Sequence, residues 1–387
     1  MQSSASRPCS QALRRISQHE FLPRSLRSYS QYDPSAASTV TAPEVQSARK
    51  FCLDNLMKYD TPSFIARTYI PAPARDAFIA IRAFNLEVAR TADTTSTPTV
   101  GAMRLQFQRD AVSKTLLGSP PKQPVFILLS KAVEDLRRQT DGRSNFSKNW
   151  LNRVITTREQ YLGNPPYPDL NALESYAENT YSTLMYLTLQ ALPLASVSAD
   201  HLASHIGKAT GITTVLKGLP LIAFPSEQRH HSNQGGMAGS VGSSRQGAVP
   251  LPLDIMAEYG VKEEDVIRNG SDAAGLRDAV FAVATRANDH LITAREMLRN
   301  LRAGQDVGHE FEHQDEEEHA HAVPTNSKIT PAQEVERAFG VFMPAVHTSL
   351  WLDRLEKLDF DVFNPKLRST DWKLPWRTWW AFTRKSI

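Results

Sequence analysis

The amino-acid sequence predicts an all-α fold, a single-domain helical bundle, and three observations carry that expectation. Apolar residues recur at three- and four-residue spacing from about Glu44 almost to the C-terminus. Alternating runs of β-branched residues never extend beyond a few positions, which leaves little material for a sheet. A chain of 387 residues that is 41% hydrophobic and 22% charged also suffices for one large core.

Taken in order, Val45, Ala48, Phe51, Cys52 and Leu56 make the first helical face, and Phe64, Ile65 and Tyr69 begin a second. Pro71 and Pro73 punctuate the chain before one long helix expected from Ala74 to about Ala92, with Phe78, Ile81, Phe84, Leu86 and Val88 as its apolar surface. Thr97 and Pro98 form a cap and first-turn pair for the next helix, which carries Met103, Phe107, Val112 and Leu116. Helices are also expected over residues 123–138, 147–160, 169–192 and 199–217. Leu276, Val280, Val283, Ala287, Leu291, Ala294, Leu298 and Leu301 mark a long amphipathic helix packed in a bundle. The last long helix is expected from Pro331 to Lys357, kinked at Pro344.

Charge is distributed unevenly. Residues 1–29 hold Arg7, Arg14, Arg15, Arg24 and Arg27 against the single acid Glu20, so this head carries +4 while the whole chain carries +3. The nearly neutral remainder gives no electrostatic case for nucleic acid. An Arg- and Ser-rich, acid-poor head with interspersed Leu13, Ile16, Phe21, Leu22 and Leu26 has the composition of a mitochondrial transit peptide, and Arg27-Ser28-Tyr29-Ser30 places its cleavage after Tyr29. Cleavage would remove Cys9 and leave Cys52 alone, without an intrachain disulfide. No run of about 18 apolar residues is long enough to cross a membrane. The expected organisation is a transit peptide at 1–29, a linker at 30–43, a helical domain at 44–370 with flexible insertions at 226–247 and 304–325, and a Trp-rich basic segment at 371–387.

Several stretches in this order are similar to the squalene and phytoene synthase family. They are Ser63-Phe64, Pro71 to Arg75, the helix Ala80 to Asp93, Ile206 to Gly218, Val249-Pro250-Leu251-Pro252, Tyr259-Gly260-Val261 with Glu263, Glu264 and Asp265, Met343-Pro344-Ala345, and Asp353 to Glu356. The resemblance implies the isoprenoid-synthase helical fold, in which two facing helices each bear aspartates four residues apart. Such pairs lie on one helical face and share the Mg²⁺ ions that neutralise a diphosphate before its carbon–oxygen bond ionises. Here the first motif reads Ala89 and Asp93, and the second reads Thr214, Gly218 and Ile222. Glu87 is no substitute, because a six-residue offset turns it roughly 120° away from Asp93. The resemblance therefore implies a synthase fold without catalytic residues, cofactor or metal ligands. Ser63, Arg75 and Arg82 remain as a candidate anion or lipid pocket.

Arg82-Ala83-Phe84-Asn85 with Glu87, Gly101 to Phe107, and Leu352 to Phe363 resemble a mitochondrial branch of this family that assists assembly of respiratory complex I. That likeness implies a non-catalytic assembly factor on the matrix side of the inner membrane, with complex I subunits or other assembly factors as partners and a peripheral membrane contact. The alternative function is an active prenyltransferase that binds prenyl diphosphates.

Two further stretches carry chemistry of their own. His309-Glu310-Phe311-Glu312-His313 matches the spacing of a zinc-protease helix, but its surroundings are Glu, Asp, His and Gln without an apolar face, so it reads as part of a solvated acidic insertion. Trp372, Trp376, Trp379 and Trp380 stand among basic residues, a composition suited to a membrane surface or a partner protein.

Overall fold

Several helices begin where the sequence supplies a cap. The computed structural model describes residues 40–95, 97–194, 196–225, 247–305 and 330–387. Helix α1 (Ala42–Tyr59) opens with the Thr41 amide donating to Glu44 Oε2 at 2.8 Å, and α2 (Thr61–Ala66) with the Ser63 amide donating to Asp60 Oδ1 at 3.2 Å. After α3 (Arg75–Ala89) and the short α4 (Thr91–Thr94), Thr97 caps α5 (Pro98–Leu116) as expected from the Thr-Pro pair. Then come α6 (Pro124–Gln139), α7 (Lys148–Gln160), α8 (Leu170–Ala177), α9 (Thr183–Gln190) and α10 (Val197–Ala223). The chain ends with α11 (Leu253–Glu258), α12 (Glu263–Asn269), α13 (Leu276–Arg302), α14 (Pro331–Arg337), α15 (Pro344–Glu356) and α16 (Leu374–Arg384). No strand occurs among the described residues, so the fold is all-α.

Helix α10 is the centre. Ala209 to Thr213 are all buried in succession, so apolar neighbours surround this stretch on every side. α13, α15, α8 and α9 pack around it, and α1, α3 and α6 form an adjoining layer. The approach of α10 to residues 177–182 is closer than side chains allow. A Cβ on Gly207 would lie 2.3 Å from Ser182 Oγ and 2.4 Å from its Cα, and one on Gly211 would lie 2.5 Å from the Ala177 Cβ. The facing segment, Glu178–Ser182, is a single π-helical turn between α8 and α9. Its Glu178 carboxylate accepts from Tyr186 and, at 2.8 Å, from Ser204 Oγ, while Ser182 Oγ donates to the Ser204 carbonyl at 3.0 Å. A buried carboxylate is thereby hydrogen-bonded on both oxygens.

Three predicted helices are interrupted. The expected helix from Ala74 to Ala92 ends at Ala89, because Thr91, Thr94 and Thr95 each turn a hydroxyl back onto the carbonyl four residues earlier and Arg90 takes ψ −4°. The expected helix over 169–192 is divided by the π turn. That over Pro331 to Lys357 breaks fully instead of kinking: Phe339–Phe342 is a 3₁₀ turn in which Gly340 lies against the Tyr69 carbonyl. Pro344 then starts α15, where its missing amide costs nothing. Conversely, α10 runs through Pro220 to Ala223, beyond its predicted end at 217, and α1 begins at Ala42 inside the predicted linker. Residues 1–39, 226–246 and 306–329, which include the transit peptide, most of both insertions and the His309–His313 motif, lie outside the described residues.

Polar pairing also ties α8, α10 and α13 together. Glu174 on α8 is met by Arg286 and, at 3.3 Å, by His290 Nε2, both from α13. The Nδ1 atoms of His290 and of His205 on α10 stand 3.1 Å apart, so at least one must present a lone pair. Burial and then the nearby His290 and Lys208 push His205 down to about 4. Burial opposes the Glu174 charge, but hydrogen bonds from His290 and Arg286 outweigh it and hold the carboxyl at about 2.

Two outcomes follow. Gly207→Ala should destabilise the protein by about 3 kcal/mol or more, since backbone and not only side chain must yield, measured by urea unfolding. His205 binds its proton more weakly folded than unfolded, so stability should fall as pH drops from about 6.5 towards 4. A second loss, from Glu174, should follow below about 4.5. Thermal unfolding across pH 3.5–8 reads the first step, which His205→Gln should flatten.

Candidate functional site

The two segments that the family likeness marks as motif positions meet at one cavity. Thr214, Gly218 and Ile222 form one stripe of α10, and with Ala89 at the end of α3 and Asp93 in α4 they line a cavity of about 310 Å³. The break at Arg90 takes Asp93 out of the register of α3, so Ala89 and Asp93 reach the cavity from two elements and not from one helical face. Thr214 donates its hydroxyl to the Thr210 carbonyl of its own helix at 2.7 Å. Asp93 is exposed and, among the described residues, is the one carboxylate lining the cavity. Among the described residues, no group of three or more His, Cys, Asp or Glu side chains is placed to hold a metal ion.

The remaining walls are cationic and aromatic. Arg90 and Arg158 enter with Tyr161, Tyr167, Tyr176 and Tyr181. Arg158 donates to Tyr176 Oη at 2.6 Å and to Asn85 Oδ1 at 3.2 Å, and its guanidinium lies 5.4 and 5.6 Å from the Tyr176 and Tyr181 ring centres. Tyr161, Tyr167 and Tyr176 pack as a cluster with ring centres 4.6 to 5.4 Å apart. Burial pushes the Tyr167 and Tyr176 phenols well above their ordinary range, so they stay neutral donors. Arg90 stacks 3.9 Å over Tyr59 on its other side. Motif reading did not find Arg158 or the tyrosines, although one signal was available: four of the ten tyrosines fall within residues 161–181.

Ser63, Arg75 and Arg82, expected as an anion or lipid pocket, do not line this cavity. Arg75 is exposed at the first turn of α3 and reaches the Ile70 carbonyl at 3.3 Å, whereas Ser63 is buried in the cap of α2. Arg82 is 6% exposed, and its charge bears on His347 of α15. Burial, relieved by Asp60 and deepened by Arg354, lowers Lys217 to about 8, with its ammonium 5.2 Å over the Trp351 ring. Burial and then Lys217 and Arg82 hold the His347 imidazole well below its usual value. The tryptophans Trp372, Trp376, Trp379 and Trp380 lie far along the chain on and before α16, each exposed.

Because Arg158 joins α7 to α3 and α8 through part-buried hydrogen bonds, Arg158→Ala should cost about 2 kcal/mol by taking the donor from the Asn85 amide oxygen and one partner from the Tyr176 hydroxyl. Chemical denaturation measures it, and an unchanged midpoint would show that these bonds are dispensable.

Comparison with known proteins agrees with this geometry. The squalene/phytoene synthase family model matches residues 56–380. The chain is 34% identical over 340 residues to "NADH dehydrogenase (ubiquinone) complex I, assembly factor 6" of Rattus norvegicus, covering 88% of this chain and 83% of the relative, and 33% identical to the Homo sapiens protein of that name over the same coverage. Among solved structures it resembles a dehydrosqualene synthase crystallised with a ligand, at TM-score 0.58 and 13% identity over 89% of this chain and 98% of the other. A squalene synthase from Alicyclobacillus acidocaldarius gives TM-score 0.56 at 12% identity, covering 83% and 97% of the two chains. The helical order, the meeting of the two motif segments at one cavity and the match over most of its length place one conclusion beyond the resemblance: this chain belongs to the squalene/phytoene synthase family.

Proposed function

We propose that this protein is a non-catalytic member of its family that acts in mitochondria, on the matrix side of the inner membrane, as an assembly factor for respiratory complex I. The observation that carries the reading is the composition of the cavity between α3–α4 and α10. Mg²⁺ prefers several hard oxygen ligands, and among the described residues this cavity offers one carboxylate, the exposed Asp93, beside two guanidinium groups. Arg90 and Arg158 repel a divalent cation, and in a half-buried site that repulsion is stronger than in water. The similarity to complex I assembly factor 6 of rat and human over 88% of the chain supports the cellular role. Complex I subunits or other assembly factors are then the partners, and the fold serves as a binding scaffold. A basic, acid-poor stretch at residues 1–29 supports import as a transit peptide.

A second reading, compatible with the first, is that the scaffold retains an anionic lipid. Its support is the buried His347, whose imidazole both Lys217 and Arg82 disfavour charging, so that three basic side chains bear on one buried place.

Deleting the gene should deplete assembled complex I on native gels while the other respiratory complexes stay near normal levels. Purified protein incubated with Mg²⁺ and farnesyl or geranylgeranyl diphosphate should release no pyrophosphate. Normal complex I after deletion defeats the assembly role, and pyrophosphate with a coupled hydrocarbon product defeats the non-catalytic one.

A further inference from the structure

Helix α16 buries only a narrow stripe. Leu374, Thr378 and Ala381 face inward, and Phe382 packs against Tyr69 and Phe339 with ring centres 4.9 and 6.3 Å away. Trp376, Trp379, Trp380 and Thr383 follow the i, i+3, i+4, i+7 spacing of the opposite face, and Trp372 precedes them by one turn. The four indoles are exposed by 75% (Trp372), 69% (Trp376), 55% (Trp379) and 45% (Trp380). The other two tryptophans, Trp150 and Trp351, are exposed by only 5% and 6%, so this protein buries indole where the core has room. A surface carrying four large exposed rings within nine residues calls for an occupant.

The charges around the rings identify it. Lys373 and Arg377 alternate with the tryptophans and Arg384 follows them by one turn, and no Asp or Glu occurs from Trp372 to Ile387. Arg384 stacks 3.9 Å over Trp380, and the Lys373 ammonium lies 5.7 Å from the Trp372 ring. The centre of a protein interface is depleted of charge, whereas here Trp372 and Trp380 each have a cation against the ring and the segment from Trp372 to Ile387 contains no acid. Indoles at headgroup depth with Lys and Arg among the phosphates are the arrangement of an interfacial helix on an anionic bilayer. Eleven residues are too few to cross that bilayer, and no described helix is long and apolar enough to do so.

We propose that α16, with Trp372 ahead of it, lies flat on an anionic phospholipid surface and holds the helical body against it, with Trp376, Trp379 and Trp380 inserted and Lys373, Arg377 and Arg384 on the phosphates. This surface lies outside the cavity between α3–α4 and α10, so the proposal stands whether or not the assembly role does.

The test uses the full chain. It should float with vesicles of phosphatidylcholine containing one-third phosphatidylglycerol, float poorly with phosphatidylcholine alone, and lose binding as salt is raised. Lipids brominated on their acyl chains should quench its tryptophan emission. The double variant Trp376→Ala/Trp379→Ala alters exposed residues only and should keep its helical circular dichroism while binding at least about tenfold more weakly. Leu221→Ala, which removes an equally exposed apolar side chain elsewhere, should bind like the parent. Equal flotation by parent and double variant, flotation without quenching, or no flotation with the anionic vesicles overturns the proposal. Failure on both vesicles, with protection of the tryptophans only when matrix proteins are added, would assign the face to a protein partner instead.

Discussion

The close contact between α10 and residues 177–182 is the constraint on which the rest of the molecule depends. Gly207 and Gly211 sit where a methyl group would overlap the opposing backbone, and the π turn at Glu178–Ser182 gives that backbone its path. Once the two segments touch, Ser182 reaches the Ser204 carbonyl and Glu178 gains the Ser204 and Tyr186 hydroxyls. The bonds are short because the glycines allow it, and the buried carboxylate is tolerable because the bonds exist.

That contact also sets the orientation of α10 towards α3 and α4. With one side of α10 held against 177–182, the stripe Thr214, Gly218, Ile222 is turned to the cavity that Ala89 and Asp93 complete. The cavity so formed has a cationic and aromatic wall. Arg158 and its tyrosines fill one wall with a hydrogen-bonded, aromatic-stacked cation. A guanidinium fixed in this way serves packing well and serves Mg²⁺ badly, since it contributes positive charge where ligand oxygen is needed.

How much was legible beforehand depended on the range of the interaction. Helices α5, α7 and α13 could be read because a cap and a 3.6-residue stripe are local, and Thr97, Ser147 and the series from Leu276 declare them. The breaks at Arg90 and at Phe339–Phe342 could not. The first depends on threonine hydroxyls choosing their own backbone carbonyls, and the second on Gly340 meeting the Tyr69 carbonyl some 270 residues earlier in the chain. In the site, the spacing of Ala89, Asp93, Thr214 and Gly218 was readable through family likeness. The grouping of Arg82 with Lys217 and His347, and the exclusion of Arg75 and Ser63 from the cavity, arise from the packing of α3, α10 and α15.

The sequence by itself determined the all-α class, the starts of the well-capped helices and which residues stand at positions 89, 93, 214 and 218, because capping, periodicity and residue identity are properties of neighbouring residues. Only the tertiary structure decided that the two motifs share one cavity, that Arg158 and four tyrosines line it, and that the tryptophans of α16 face outward while Trp150 and Trp351 do not. A side chain's partners and burial are fixed by elements distant in the chain, and no local pattern encodes which face of one helix another will cover.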